Sequence, residues 1–359
     1  MTYLLPGEKN KMRIHIIGRH AHRTPFAYEA YKPLFQTKFE YVDDAKNADV
    51  ILFGYVLNID ENEEELAKLL EKKPNIRLVV ASEEPLWDTT NSGDFRKRHN
   101  TRKTKSHSFS YSVINHHTSN AYEFIRFPYF LTTENEYFLR YAHEFSANVQ
   151  KSAEEILRNW GSAKTKYTFF AENRDLVKKY SVSHPDIETY GLSVYRTDVA
   201  KAMPDNQSMR VGQGWGAKQT RQSLPDWHLD KIQHLQDRSY IISAIENTNQ
   251  RNYISEKIFD AFACTGVPLY WCTASHRVHE LVDGNSFINL YDLTPEKASQ
   301  KVKLFKPNAA YLESYRQAQA DLSALFRNYD EFVDERIQFF KRFSAELETI
   351  VKERSTEVV

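Results

Sequence analysis

Apolar residues fall along this chain in short runs, each closed by glycine or by polar residues and spaced by stretches of helical periodicity. Met12 to Gly18 is the first run, "ADVILFGYV" at 48–56 the second and "NIRLVVASEEP" at 75–85 the third, with a helical stretch from Glu61 to Lys73 before the last. Continuous short apolar runs suit strands buried on both faces. Their alternation with helices predicts a parallel sheet covered on both sides. Residues 91–108, "NSGDFRKRHNTRKTKSHS", break the pattern: they lack apolar periodicity and hold six Lys or Arg, which predicts an exposed loop. "FIRFPYFL" at 124–131 is apolar again, and an amphipathic stretch from Glu134 to about Trp160 is expected to join two halves.

From Lys166 the alternation resumes. "KYTFFAEN", "DIETYG", "SYIISAIEN" (239–247), "VPLYW" and "SFINLYDL" all read as strands. Beyond 309 the spacing becomes helical, with Tyr311, Tyr315, Leu322, Leu325, Tyr329, Phe332, Phe339, Phe340 and Phe343 near a 3.6-residue period. Long terminal helices follow from that pattern. Their aromatic stripe is expected to pack on the protein itself, the alternative being a face laid on a bilayer. The fold class is therefore α/β. Two Rossmann-like domains are expected, at 1–150 and 151–310, with a helical tail at 311–359 and a site in a cleft between the carboxyl ends of strands.

The length of 359 residues suits two domains, each with its own core. Forty-eight Lys and Arg balance forty-eight Asp and Glu, so overall charge gives no reason to expect nucleic acid as a partner. The basic run from Arg96 to Lys105 has no interleaved aromatic, and a flexible loop near an acceptor fits it better. Cys264 and Cys272 are too few for a disulfide framework or a zinc site, which points to a reducing compartment. The first twenty residues hold no apolar signal core, and nowhere do eighteen apolar residues run together. No GxGxxG, GxxxxGK[ST], GxSxG or HExxH occurs. His276, His279 and Glu280 are expected to face solvent rather than bind a metal, and the pair His116 and His117 gives no stronger signal.

One stretch breaks a local rule. In "IENTNQRNYISEKIFDAFACTGVPLYW" (245–271), Ser255 is a good N-cap, Ile258, Phe259, Phe262 and Ala263 form an apolar face, and Gly266 ends the helix. Lys257 then stands in the first turn, where the helix dipole disfavours a cation by about 0.3–1 kcal/mol. A bound phosphate would reverse that sign; a pairing with Glu256 or Asp260 would also relieve it. Glu246 and Asn247 end a strand, where a carboxylate can accept from sugar hydroxyls. Alternatively they cap the loop that follows. Glu83 follows a strand in the first half and suits a general base, and Arg174, after "TFFAEN", suits bidentate contact with a phosphate or a solvated loop equally well.

The same stretch resembles the signature of glycosyltransferase family 10, the α1,3/4-fucosyltransferases, and its bacterial members in particular. That pattern reads roughly F-E-N-S, four to five residues, Y-[VI]-[TS]-E-K-[LIV], a helix of small residues and a [VI]-P-[VIL] strand. "EEP" at 83–85, "SFSYSV…YEFIRFPYF" at 108–130, "AENR" at 171–174 and "SFINLYDL" are similar to further family segments in order, so the resemblance spans about 75–295. It implies a GT-B-like fold and transfer of L-fucose from GDP-fucose, with inversion and without a required metal. The acceptor would be an oligosaccharide or lipid-linked glycan, with α1,3 linkage to a GlcNAc-type sugar of a bacterial surface glycan. It further implies a cytoplasmic place, with peripheral contact at the inner membrane. Another GDP-sugar donor, or glycan binding without catalysis, remain alternatives. By position Glu83 resembles the base, with Glu84 beside it. Arg174 and Lys257 resemble the diphosphate cations, and Glu246, Asn247, Tyr253 and Glu256 resemble donor-site residues. The sequence departs from the family at Ile245, at Cys272, where a glycine is usual, and at "TASHR", which replaces a Gly/Pro/Ser-rich loop.

Overall fold

The computed structural model describes residues 11–86, 94–216, 223–236 and 238–353. The chain forms two compact units: residues 1–125, 132–134 and 333–359 make unit 1, and 126–131 with 135–332 make unit 2. The division thus falls near residue 125 rather than 150, and the terminal helical region is shared between the units.

Unit 1 is built on β1 (Met12–Ile16), β2 (Phe39–Tyr41), β3 (Val50–Phe53), β4 (Arg77–Ala81), β5 (His99–Lys103) and β6 (Ser108–Ile114), with helices α1 (Lys32–Lys38), α2 (Leu57–Glu61) and α3 (Glu63–Lys72). The sheet order is β2-β1-β3-β4-β6-β5, parallel except for β5. In β3 every side chain is buried, as the unbroken apolar run requires: Ile51 and Phe53 join Leu78, Val80, Val113 and Leu66 in one cluster. The basic segment departs from expectation. Residues 91–93 lie outside the described residues, but His99–Lys103 is a strand, hydrogen-bonded antiparallel to β6 with His99 opposite Ser112 and Lys103 opposite Ser108. An edge strand buries only one side of its ladder, so polar side chains suffice and leave no apolar signal.

Unit 2 contains α4 (Tyr129–Thr132, whose last residue counts with unit 1), α5 (Asn135–Asn148), α6 (Ala153–Ser162), β7 (Thr165–Phe170), α7 (Val177–Tyr180), β8 (Ser183–His184), β9 (Thr189–Gly191), α8 (Ser193–Lys201) and β10 (Ser208–Val211). It continues with α9 (Trp227–Leu235), β11 (Ser239–Ser243), β12 (Thr248–Asn249), α10 (Glu256–Ala263), β13 (Val267–Tyr270), β14 (Ile288–Asn289), α11 (Pro295–Leu304) and α12 (Ala309–Leu325). Its parallel sheet runs β10-β7-β11-β13-β14, and β12-β9-β8 form a small antiparallel sheet. "DIETYG" therefore supplies a strand of the small sheet, whereas the edge strand β10, with no apolar run, escapes the pattern. The expected connector is two helices: Ser152 restarts the chain with a capping box to Glu155.

The last helix, α13 (Tyr329–Glu353), carries the aromatic stripe. Phe339 lies 5.0 Å from Tyr31, and Phe343 5.8 Å from Phe35, ring centre to ring centre, so this part of the stripe is spent on unit 1's own core. Among the described residues no helix is long and apolar enough to cross a membrane.

Helix α10 is fixed at both ends. Thr265 adopts a left-handed φ of 52°, and the N–H groups of Thr265 and Gly266 donate to the carbonyls of Phe262 and Ala261 (2.9 Å each), a complete Schellman turn. Gly266 is needed for a reason other than its φ: a Cβ there would come 2.3 Å from Ile242 Cδ1 of β11. The amides of Asn148 and Gln319 donate to the terminal carbonyls of Ala263 and Phe262 at 2.8 and 2.9 Å. The helix thus holds a set orientation against the sheet.

Candidate active site

In unit 1, β4 ends at Ala81, and the Ser82 N–H continues its ladder to Ile114 O (3.0 Å) while Ser82 Oγ donates to Glu84 O (3.0 Å). This turn sets both glutamates under the surface, Glu83 at 4% exposure. Arg23, at the end of a 3-10 turn, donates Nε to Glu83 Oε1 and Nη2 to Glu84 Oε1, the latter at 2.6 Å. Tyr28 OH donates to Glu83 Oε2 at 2.7 Å, and His116 Nε2 donates to the Glu83 carbonyl at 3.0 Å. Burial pushes the Glu83 carboxyl above the usual carboxylate range; Arg23 opposes this and Glu84 adds to it. Burial also drives His116 down to about 3, so its ring is a neutral donor. Arg23 bridges the adjacent glutamates; the Glu83 carboxylate is also held by Tyr28, and the carbonyls of Glu83 and Glu84 accept from His116 and Ser82.

In unit 2 the carboxyl ends of neighbouring parallel strands bear the predicted residues. Glu246, three residues past β11, is 1% exposed. It accepts from Ser255 N at 2.8 Å and from Ser255 Oγ at 2.7 Å, and pairs with Lys257 Nζ at 2.9 Å. Ser255 occupies the N-cap position yet makes no capping bond of its own. The expected cap is therefore replaced by the carboxylate of Glu246, which meets the N–H of the cap residue and a cation in one place. Glu256 Oε1 lies 3.6 Å from Lys257 Nζ, while Asp260, the other expected partner, is taken by Lys231 and His228. Glu246, Glu256 and Lys257 are thus one ionic group.

Asn247 is held through its carbonyl, which accepts from Leu192 N at 2.7 Å, and Tyr253 is buried behind a turn closed by Tyr253 N to Gln250 O at 2.9 Å. Arg174 sits elsewhere on the edge, past β7. It pairs with Glu172, donates to Tyr180 OH at 2.6 Å and lies 4.6 Å over that ring. Its backbone N–H donates to Thr197 Oγ1 of α8 at 3.0 Å.

Next to Thr197 stands Arg196, which sequence reasoning missed. It is 9% exposed, and its hydrogen bond to Ile245 O is long at 3.4 Å. Its buried Nε has no hydrogen-bond partner, and among the described residues no carboxylate lies within ion-pair distance. Burial pushes its guanidinium down, with Glu246 and Tyr253 opposing. A buried guanidinium held, among the described residues, by one carbonyl is a ready anion site. The trace of it in sequence is an arginine between Val194 and Val199 on a helix that otherwise turns small or apolar side chains inward.

Cys272, the departure from the family glycine, ties two strand ends together: its N–H donates to Asn289 Oδ1 at 3.2 Å and its carbonyl accepts from Asn289 Nδ2 at 3.0 Å. Burial pushes its thiol up to about 12, so it stays protonated. His276, expected to face solvent, is buried instead. Its Nδ1 accepts from Val278 N at 3.2 Å as a helix cap, and burial pushes it down to about 3. His279 and Glu280 do lie exposed, and no group of three or more potential metal ligands occurs among the described residues.

Residues 177–342 match the family model described as "Glycosyltransferase family 10 (fucosyltransferase) C-term". Solved structures of an α1,3-fucosyltransferase are similar at 13% identity, covering 91% of this chain and 84% of that one, with a TM-score of 0.41. One determined with GDP-fucose is 13% identical, covering 98% and 93%, with a TM-score of 0.40. Another, with GDP, is 14% identical, covering 95% and 92%, with a TM-score of 0.41. No curated protein matches the chain. The family match contains Arg196, Glu246, Asn247, Tyr253, Glu256 and Lys257; Glu83 and Arg174 lie outside it. The Glu246–Lys257 group thus lies inside a segment similar to family 10 glycosyltransferases.

Proposed function

We propose that the chain transfers L-fucose from GDP-fucose to a hydroxyl of an oligosaccharide or lipid-linked glycan, forming an α1,3 linkage to a GlcNAc-type sugar with inversion. The observation that supports this most is the pair of cations at the unit 2 sheet edge. Lys257 opens a helix paired with Glu246 at 2.9 Å, and Arg196 is buried with no carboxylate within ion-pair distance among the described residues, both inside the segment that matches the family 10 model.

In this reading the diphosphate lies against the N-terminus of α10, where free N–H groups and Lys257 favour negative charge, with Arg196 as second cation and Arg174 as an outer one. Glu246, Asn247, Tyr253 and Glu256 line the donor. Glu83 takes the proton of the attacking hydroxyl as the new O–C bond forms and the C1–O bond to phosphate breaks. The departing GDP keeps the electron pair on its β-phosphate oxygen, where the protein cations stabilise the added negative charge. Turnover on this account does not need a divalent metal and persists in excess chelator. An acceptor on a lipid carrier would bring the enzyme to the inner face of the cytoplasmic membrane. The stripe residues Phe339 and Phe343, being buried, do not.

On this reading Arg174, Arg196, Lys257, Glu246 and Glu256 meet phosphate and hydroxyl groups and none is assigned to the fucose methyl, which keeps a second GDP-sugar as the other reading. GDP release measured with GDP-fucose and competing GDP-sugars over a panel of glycan acceptors tests both. Release from GDP-fucose with the product α1,3-linked is expected, and none from GDP-fucose would refute the first reading.

A further inference from the structure

Glu256 and Asp260 lie one turn apart on α10, and both carboxylates are buried. Burying a carboxylate costs several kcal/mol unless a cation and hydrogen bonds answer it. Lys231 of α9, its side chain 6% exposed, reaches between the two, with Nζ 2.6 Å from Asp260 Oδ2 and 3.4 Å from Glu256 Oε1. Asp260 has further support: Tyr141 OH donates to Oδ1 at 2.6 Å, and His228 Nε2 lies 2.7 Å from the same atom. Arg140 Nη1 stands 2.9 Å from His228 Nδ1, and since arginine only donates, Nδ1 accepts and the ring proton sits on Nε2, facing Asp260. Glu256 meets a second cation in Lys257 at 3.6 Å, and Lys257 is shared with Glu246 at 2.9 Å. The row Glu246, Lys257, Glu256, Lys231, Asp260, buried except for the half-buried Lys257, therefore alternates in sign, each lysine standing between two carboxylates.

We infer that Lys231 is a positioning residue of the donor site: by holding Glu256 and Asp260 it leaves Lys257 aligned on Glu246 and available to the phosphates of a nucleoside diphosphate sugar. The inference rests on the donor-site reading above. Without Lys231, Glu256 turns to Lys257, because Coulomb attraction is strong in a dry interior. Lys257 is then drawn along the row, away from Glu246 and from the ligand.

The test uses the full chain, with GDP and inorganic pyrophosphate as probes, the latter reading the phosphate cations without a nucleoside. Lys231→Met should weaken both at least tenfold, and kcat with saturating donor should fall as well, because the displaced Lys257 no longer meets the departing diphosphate. The charge-balanced pair Lys231→Met with Asp260→Asn, which leaves no uncompensated charge to unfold the protein, should show the same loss. Lys231→Arg should stay within threefold of wild type. Lys231→Met with Glu256→Gln should recover pyrophosphate affinity to within threefold, since the competitor for Lys257 is gone. Wild-type affinity in Lys231→Met or in the charge-balanced pair, or no recovery in the Glu256→Gln pair, would overturn the inference. Should Lys257→Gln also leave pyrophosphate binding unchanged, the donor-site reading fails and the inference falls with it. A loss in Lys257→Gln alone sinks only the role of Lys231.

Discussion

Lys257 Nζ lies 2.9 Å from Glu246 Oε2, a cation in the first turn of α10 set against a carboxylate in the loop that follows β11. The same carboxylate binds the N–H and the hydroxyl of Ser255, so one buried side chain does the work of a helix cap and of a counter-ion. Replacing Glu246 with Gln should destabilise the protein by about 1–3 kcal/mol, the penalty of a buried partner left imperfectly paired. Urea denaturation at neutral pH measures it; a change under ~0.3 kcal/mol would mean that the carboxylate caps nothing.

With Glu83 as the proposed base, the pH dependence of turnover follows from its surroundings. Burial raises its carboxyl, so it holds its proton at a pH where an ordinary glutamate is already charged. The acid limb of kcat/KM should therefore lie above the usual carboxylate range, with activity rising as pH rises through it. Arg23 opposes that shift, so Arg23→Gln should move the limb to still higher pH. Glu83→Gln should lower kcat about 10²–10⁴-fold and leave GDP affinity unchanged. Equal loss only in Glu84→Gln would transfer the role to the neighbour.

Two buried histidines should make the fold acid-sensitive. His116 and His276 are each pushed down to about 3 by burial. A depressed folded pKa gives stability that is complete above the unfolded value of about 6.5 and is lost as pH falls from there toward 3. The slope is about 1.4 kcal/mol per pH unit for each histidine. Denaturation midpoints of His116→Gln and wild type from pH 7 to 4 check this: the variant should lose stability less steeply, and parallel curves would contradict the assignment.

Thr265 is a β-branched residue held at a φ of 52°, a strained place for a side chain of that shape. Thr265→Asn or Thr265→Gly should therefore stabilise the protein by about 0.5–1 kcal/mol in thermal or urea unfolding. The neighbouring Gly266→Ala should do the opposite, since its Cβ would meet Ile242.

Much of this could be read from the chain, and what could not has physical reasons. Strands such as β3 and β11 were legible because strands buried on both faces need continuous apolar runs. The edge strands β5 and β10 bury less, so their sequences, "HNTRK" and "SMRV", read as loop. Lys257 stands out in the sequence because a lysine in a first helical turn violates the dipole rule, Glu246 because it closes an apolar run at a strand's carboxyl end, and Glu256 as a pairing partner of Lys257 and through the family resemblance. Arg196 does not, because its oddity, a buried guanidinium with no carboxylate within ion-pair distance among the described residues, exists only once α8 is placed on the sheet edge. The small sheet β12-β9-β8 pairs residues some sixty positions apart, Asn249 with Tyr190, which no local pattern encodes.

The most direct test of the account is calorimetric titration of GDP into wild type and into Lys257→Gln, Arg196→Gln and Arg174→Gln. Binding by wild type, a loss of at least tenfold in each of the first two variants and less than threefold in the third is the predicted result. Undiminished affinity in Lys257→Gln and Arg196→Gln would contradict the placement of the donor diphosphate at the head of α10.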